Sequence, residues 1–382
     1  MRPPGQRVVD LHFHVGLLGD SVPRQGALSD HFREQPAYPI FLAYARVPKD
    51  HVCDQTLREA TENALAGASQ VDQVVCLALD PIYDRATGER REDLSHMWVD
   101  NGYVLDLQRT LGPKVLLGAS IHPYDRDFAY RLATVVDQGA VLLKWIPSAQ
   151  GIDLADSKVL DALRLLAKAK DGKPLPLLLH NGPEYAIPPV DPALSTNDFL
   201  SWSSLERFVN ALRGSLRKRT PNVSGIRQNL QSALAEGATI IFAHCGFPYF
   251  ATGLIGRLLE HSDHDVVRGY LESYRPGSSG AGACFADVSA CCTPFRRPLF
   301  EKIKSLPPDA VLFGSDFPTP VFELSADLPE VMDDFEAILR GEIGRVIIPQ
   351  GNLVDVNYHQ LLHYFPQHPL FTNFDRYWGS AS

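Results

Sequence analysis

The sequence predicts an α/β chain folded as a closed (β/α)8 barrel, with an open doubly wound sheet as the structural alternative. Three observations carry that prediction. Eight short apolar runs recur along 382 residues; most are continuous rather than alternating; several connections between them have helical periodicity. Continuous apolar runs are what strands buried on both faces look like. Strand, helix and strand repeated about eight times implies parallel strands joined by right-handed crossovers.

In chain order the runs are VVDLHFHVG (8–16), VDQVVCLALD (71–80), KVLLGASIHP (114–123), GAVLLKWIP (139–147), LPLLLHNG (175–182), ATIIFAHCG (238–246), ACFADVSAC (283–291) and AVLFGSDFP (310–318). Helices are expected at 128–138, 156–170 and 329–342, where apolar residues recur at helical spacing. Three connections are too long for simple crossovers: 17–70, 183–237 and 247–282. All three leave from C-terminal strand ends, the face where barrels place their sites. A helix near 203–213 and a surface connection at RPGSSGAGA (275–283) belong to them. The chain is expected to form a single domain over 1–382, with a C-terminal extension from about 343 packed on the barrel.

Composition narrows the function. A net charge of −9 argues against a nucleic-acid or anionic-membrane surface, and the basic stretch RGSLRKRT (213–220) reads as a solvated helix face. No apolar run is long enough to cross a bilayer, and MRPPGQRVVDLHFH lacks the apolar core of a signal peptide. Six cysteines without a C-x-x-C spacing read as reduced, mostly buried thiols of a cytoplasmic protein. No G-x-S-x-G elbow supports serine hydrolase chemistry. The expected partner is a small-molecule substrate, with homo-oligomerisation open.

The chemistry sits at strand ends. On the first strand, Asp10, His12 and His14 share one face, because positions two apart point the same way. Later runs end with His122, Lys144, His180, His244 and Asp316. A chance scatter of the chain's 13 histidines would not be expected to put five at one barrel mouth. Neutral imidazoles with a carboxylate form a ligand set for zinc, manganese or a similar divalent ion.

On these residues, from DLHFH to FGSDFP, the sequence resembles the metal-dependent amidohydrolase superfamily, closest to the branch that also contains non-oxidative decarboxylases. The superfamily pattern is H-x-H on the first strand, often lysine on the fourth, histidines on the fifth and sixth, and aspartate on the eighth. The resemblance implies that His12, His14 and Asp316 hold a buried metal, zinc first and manganese next. In a binuclear member, carboxylated Lys144 bridges two ions, and His180 and His244 bind the second. In a mononuclear member, His180 joins the single ion and His244 serves catalysis. It further implies that metal-bound hydroxide attacks an ester, lactone, amide or similar carbonyl while Asp316 shuttles the proton. Lys144 tilts the reading to hydrolysis, because the decarboxylase relatives typically lack that lysine. The alternative is a mononuclear decarboxylase or lyase acting on a small organic acid, and a third reading is a catalytically silent metal-holding barrel.

Weaker candidates are His122 and Asn181, as substrate contacts or as structural residues. Asp10 is a candidate hydrogen-bond partner of a ligand, and Asp287 is an acidic seventh-strand residue without an assigned role. Tyr38, Tyr185, Trp202 and Tyr249 are candidate pocket or packing aromatics.

Overall fold

The computed structural model describes residues 6–378, apart from 185, 205, 208–209, 211–218, 249–260, 279–281, 294–295, 297–298 and 322–347. The helix expected at 329–342 lies outside the described residues, as do Tyr185, Tyr249, most of 203–213 and 213–220, and residues 279–281 of the 275–283 connection.

All eight apolar runs form strands of one parallel sheet. They are β1 (Val9–His14), β2 (Gln73–Leu77), β3 (Val115–Ala119), β4 (Leu142–Trp145), β5 (Leu177–Leu179), β6 (Thr239–Phe242), β7 (Ala283–Asp287) and β8 (Val311–Leu312), paired in that order. The ends meet. Leu11 N–H donates to Phe313 O at 3.1 Å, His14 N–H donates to Phe317 O at 2.9 Å, and Phe13 forms a parallel bridge with Phe317. The sheet is therefore a barrel, and the doubly wound alternative is excluded.

Each strand is followed by a helix of the outer ring. These are α1 (Asp54–Gly67), α2 (Asn101–Leu111), α3 (Phe128–Asp137), α4 (Ser157–Leu166), α5 (Val223–Ala235), α6 (His264–Ser273), α7 (Phe300–Lys304) and α8 (Leu353–Tyr364). Helix α4 shows why the local sequence folds so. The Asp156 side chain caps its first turn through Lys158 N–H, and Val159, Ala162, Leu163 and Leu166 bury one stripe. The three long connections thus each end in an ordinary barrel helix (α1, α5 and α6). Helix α8 lies beside α1: Asn352 donates to Ala64 O at 2.7 Å, and Asp355 accepts from Ser69 and Gln70 N–H. Residues 369–378 pack on the sheet next to β8, where Asn373 donates to Val311 O at 2.8 Å and Asp375 pairs with Arg7 at 2.7 Å.

One hydrophobic cluster runs from Val8 to Phe374 and fills the space between sheet and helices. All six cysteines are free thiols, five of them buried. Among the described residues no helix is long and apolar enough to cross a membrane.

A buried polar clamp ties the segment after β5 to the segment after β6. His261 sits between Glu206 and Asp263, stacked on Phe199 with centroids 3.8 Å apart, and Asp263 also accepts from Leu200 N–H at 2.8 Å. Burial opposes charging of His261, but its hydrogen bonds to Asp263 and Glu206 prevail and push it up to about 9. A folded-state value above the unfolded one stabilises the protein fully below about pH 6.5. That stabilisation is lost as pH rises through 9. His261→Asn should therefore cost about 2 kcal/mol at pH 6 and progressively less toward pH 10, read by urea unfolding across that range. A pH-independent difference would refute the clamp.

Candidate metal centre

The C-terminal ends of β1, β4, β5, β6, β7 and β8 converge on one mouth and bring the predicted residues together. Pleating turns Asp10, His12 and His14 inward on β1, while Leu11 and Phe13 point out into the ring of helices. Asp316 follows β8 at φ 60° and His244 follows β6 at φ 55°. Both are left-handed conformations that cost an ordinary side chain of order 1–3 kcal/mol and concentrate at functional sites. Gly314 lets the two chain segments close: a Cβ there would stand 2.8 Å from the Cβ of His12.

The geometry is that of a ligand shell. His12 Nε2 lies 3.1 Å from His14 Nε2 and 3.2 Å from Asp316 Oδ1, and His14 Nε2 lies 3.4 Å from Asp316 Oδ1. Atoms placed tetrahedrally at 2.0–2.1 Å from one zinc ion are about 3.3 Å apart. The triangle matches that edge length on all three sides. Lys144 Nζ stands 3.3 Å from the same His12 Nε2 and is fully buried. His180 Nε2 is buried without a hydrogen-bond partner among the described residues, with Glu184 Oε2 at 3.4 Å; its ring and that of His244 lie edge to face at 5.2 Å. The residues therefore fit a divalent cation in donor type, spacing and unsatisfied capacity.

Protonation states agree with that fit. Burial, with Lys144 second, holds His12 below its ordinary value despite Asp287 and Asp316. Burial pushes His180 and His244 down to about 3, so all three imidazoles are neutral at pH 7. Burial also works to raise Asp316 and Asp287, but His12 and His244 outweigh it and hold both carboxyls below the usual range, ionised. Burial lowers Lys144 toward the neutral amine.

Asp287 supplies what the sequence reading left without a role. Its Oδ2 accepts from His12 Nδ1–H at 2.8 Å, and its Oδ1 accepts from the backbone N–H of His244 at 2.9 Å and Ser289 at 3.0 Å. A carboxylate cannot donate, so the proton of His12 is on Nδ1 and the lone pair on Nε2 points at the ligand triangle. His244 Nδ1–H likewise donates to Ser289 O at 3.0 Å, leaving its Nε2 free of a proton. His12, His244 and Asp287 also group closely enough to suggest a second ion position. The 2.8 Å contact within that group is a hydrogen-bond length, and the group reads as the support of the first. Asp10 does not take the part expected for it. It accepts from the backbone N–H of His12 and Ser315 rather than from an imidazole, and burial pushes it up to about 7.

His122 is a structural residue. Its Nε2–H donates to Gln150 O at 2.9 Å and its Nδ1 accepts from Tyr124 N–H at 3.1 Å, which leaves no ring nitrogen for a substrate. Asn181 is buried with both amide atoms unpartnered and is not among the residues lining the mouth cavity. Trp202 packs against Phe199, whereas Tyr38 does line the cavity. Two residues that the motif reading missed also line it, Glu184 and Arg296. Glu184 Oε2 stands 3.4 Å from His180 Nε2, and Arg296 Nε–H donates to Pro248 O at 2.9 Å. Neither belongs to a local pattern that spacing would reveal.

No family model matches the sequence, and no curated protein does. Solved structures to which the chain is similar include an IDCase from Metarhizium anisopliae, at 15% identity over 98% of this chain and 96% of that one, with a TM-score of 0.49. An amidohydrolase 2 from Bifidobacterium longum subsp. infantis is similar at 13% identity over 98% and 99%, with a TM-score of 0.45. The 5-carboxyvanillate decarboxylase LigW from Sphingomonas paucimobilis is similar at 15% identity over 95% and 99%, with a TM-score of 0.42.

Because Asp287 orients a ligand imidazole without facing the ion, Asp287→Asn should weaken divalent-metal affinity roughly 10–100-fold with the far-ultraviolet spectrum unchanged. Chelator competition with zinc measures this, and an unaltered affinity would contradict the orienting role.

Proposed function

We propose that this chain is a metal-dependent hydrolase of the amidohydrolase superfamily acting on an ester, lactone, amide or similar carbonyl. One observation carries the reading: Lys144 is fully buried, with its Nζ 3.3 Å from His12 Nε2 on the edge of the ligand triangle. Among the described residues no carboxylate lies within ion-pair distance of it, and a buried unpaired ammonium is costly. The neutral amine that burial favours is the form that adds carbon dioxide, losing a proton to become a carbamate. A carbamate there would give β4 an anionic ligand.

His12, His14 and Asp316 would hold the first ion, and the Lys144 carbamate with His180 and His244 a second, zinc ahead of manganese. A bound divalent cation supplies a Lewis acid and brings the pKa of a coordinated water from about 15.7 toward 7. The chain's own residues do the rest. Asp316 Oδ1 would face the ion, while Oδ2, oriented by the Thr319 hydroxyl at 2.9 Å, is the oxygen left to accept a proton and pass it to the leaving group. Neutral His244, with Nδ1–H tied to Ser289 O, keeps Nε2 unprotonated, the lone pair a second ion would take.

A second reading, decarboxylation of an organic acid at a mononuclear site, is favoured by the presence of Arg296, a cation of the type that suits a substrate carboxylate, among the residues lining the cavity.

Metal analysis of protein purified without chelators separates the two. Two equivalents of metal per chain and a carbamate carbon signal after equilibration with carbon-13 carbon dioxide are expected for the hydrolase. One equivalent and a bare Lys144 amine would favour the lyase. Asp316→Asn should lower kcat at least 1000-fold with the fold retained, whereas substantial residual turnover would exclude Asp316 as the proton carrier.

A further inference from the structure

The mouth cavity is a second, separate apolar environment in this molecule. Its volume is about 380 Å³, and one continuous space is lined both by His14, His180, His244 and Asp316 and by an apolar wall. The wall belongs to a hydrophobic cluster distinct from the main core, built on Phe32, Ile146 and Ile187 with Tyr38, Phe41 and Met97 packed against it. The short helix Ala37–Tyr44, AYPIFLAY, explains how this wall is made. A helix that is apolar all round must bury every face. Ile40 and Tyr44 join the main core and Tyr38 and Phe41 join the second cluster, and Tyr38, Ile40, Phe41 and Leu42 also line the cavity.

Beyond the metal-site groups, the charged side chains lining this space among the described residues are Glu184 and Arg296. Glu184 is turned onto the backbone N–H of Ala186 and Ile187 and onto His180, and Arg296 is braced on Pro248 O and Ala290 O. A substrate with several charges would surrender its hydration here for one cation, a net loss. An apolar group gains by leaving water.

We propose, resting on the hydrolase reading above, that the substrate is a carbonyl compound carrying one long apolar chain or aryl group, seated along Phe32, Tyr38, Phe41 and Ile187 with its carbonyl at His14 and Asp316. At about 30 Å³ per group, the volume one water takes in the liquid, the cavity accommodates roughly a dozen heavy-atom groups. Each methylene that enters it should tighten binding about threefold to fourfold.

Binding of neutral, non-hydrolysable 2-alkanones to the purified protein tests this without turnover. From 2-butanone to 2-decanone, calorimetry should show Kd falling about threefold to fourfold per added methylene. A Kd that does not change with length, or succinate binding more tightly than 2-decanone, would overturn the proposal. Phe41→Asp and Ile187→Asp should each reduce the 2-decanone to 2-butanone affinity ratio at least tenfold, and an unchanged ratio in both folded variants would place the chain elsewhere. The p-nitrophenyl acetate and octanoate esters then separate the two readings. Length-dependent ketone binding without metal-dependent cleavage of either ester sinks the hydrolase and keeps the apolar substrate. Metal-dependent cleavage with equal kcat/KM for both esters and flat ketone binding does the reverse.

Discussion

The seam between β1 and the chain following β8 is the constraint on which the mouth of this barrel depends. Asp316 N–H donates to His12 O at 2.7 Å, Ser315 N–H donates to Asp10 at 2.9 Å, and Gly314 lacks the side chain that would collide with His12. These contacts lie between residues about 300 positions apart, and they bring both histidines of the H-x-H within ligand-edge distance of the aspartate. Without closure the barrel would be an open sheet, and His12 and Asp316 would sit at opposite edges of it.

Closure also sets the electrostatics. The barrel interior strips water from every group at its mouth, which favours the uncharged form of a base and would favour the uncharged form of an acid. His12, His180 and His244 comply and stay neutral. Asp287 and Asp316 stay ionised with hydrogen bonds offsetting the cost of their burial, from His12 Nδ1–H and two backbone N–H groups to Asp287 and from the Thr319 hydroxyl to Asp316. The site therefore holds neutral nitrogen donors and anionic oxygens side by side, the protonation pattern a divalent cation requires. The backbone contributes too: positive φ at His244 and Asp316 turns each side chain inward just where its strand ends.

Specificity has a separate origin. His12, His14 and Lys144 stand on strands and His180, His244 and Asp316 within four residues after them, whereas the apolar wall comes from the segments that follow β1, β2, β4 and β5. Phe32 and Phe41 are contributed by the first, Met97 by the second, Ile146 by the third and Ile187 by the fourth. Rigid scaffold and variable loops thus divide the tasks, as barrel enzymes commonly do.

The sequence by itself determined the eight strands and most of the ligand set. Both are written in local patterns: an apolar run long enough for one strand, and a polar residue where it ends. His12, His14, Lys144, His180, His244 and Asp316 were legible because each stands at such an end. The long connections were legible only as lengths, since their helices α1, α5 and α6 differ in no local respect from other surface helices. Tertiary structure alone decided the rest. Asp287 became the partner of His12, His122 became a structural residue held by Gln150 and Tyr124, and Phe41 became a cavity wall rather than core. Each of those outcomes depends on which groups meet across the barrel, and such meetings are set by closure and packing, which no short stretch of sequence records.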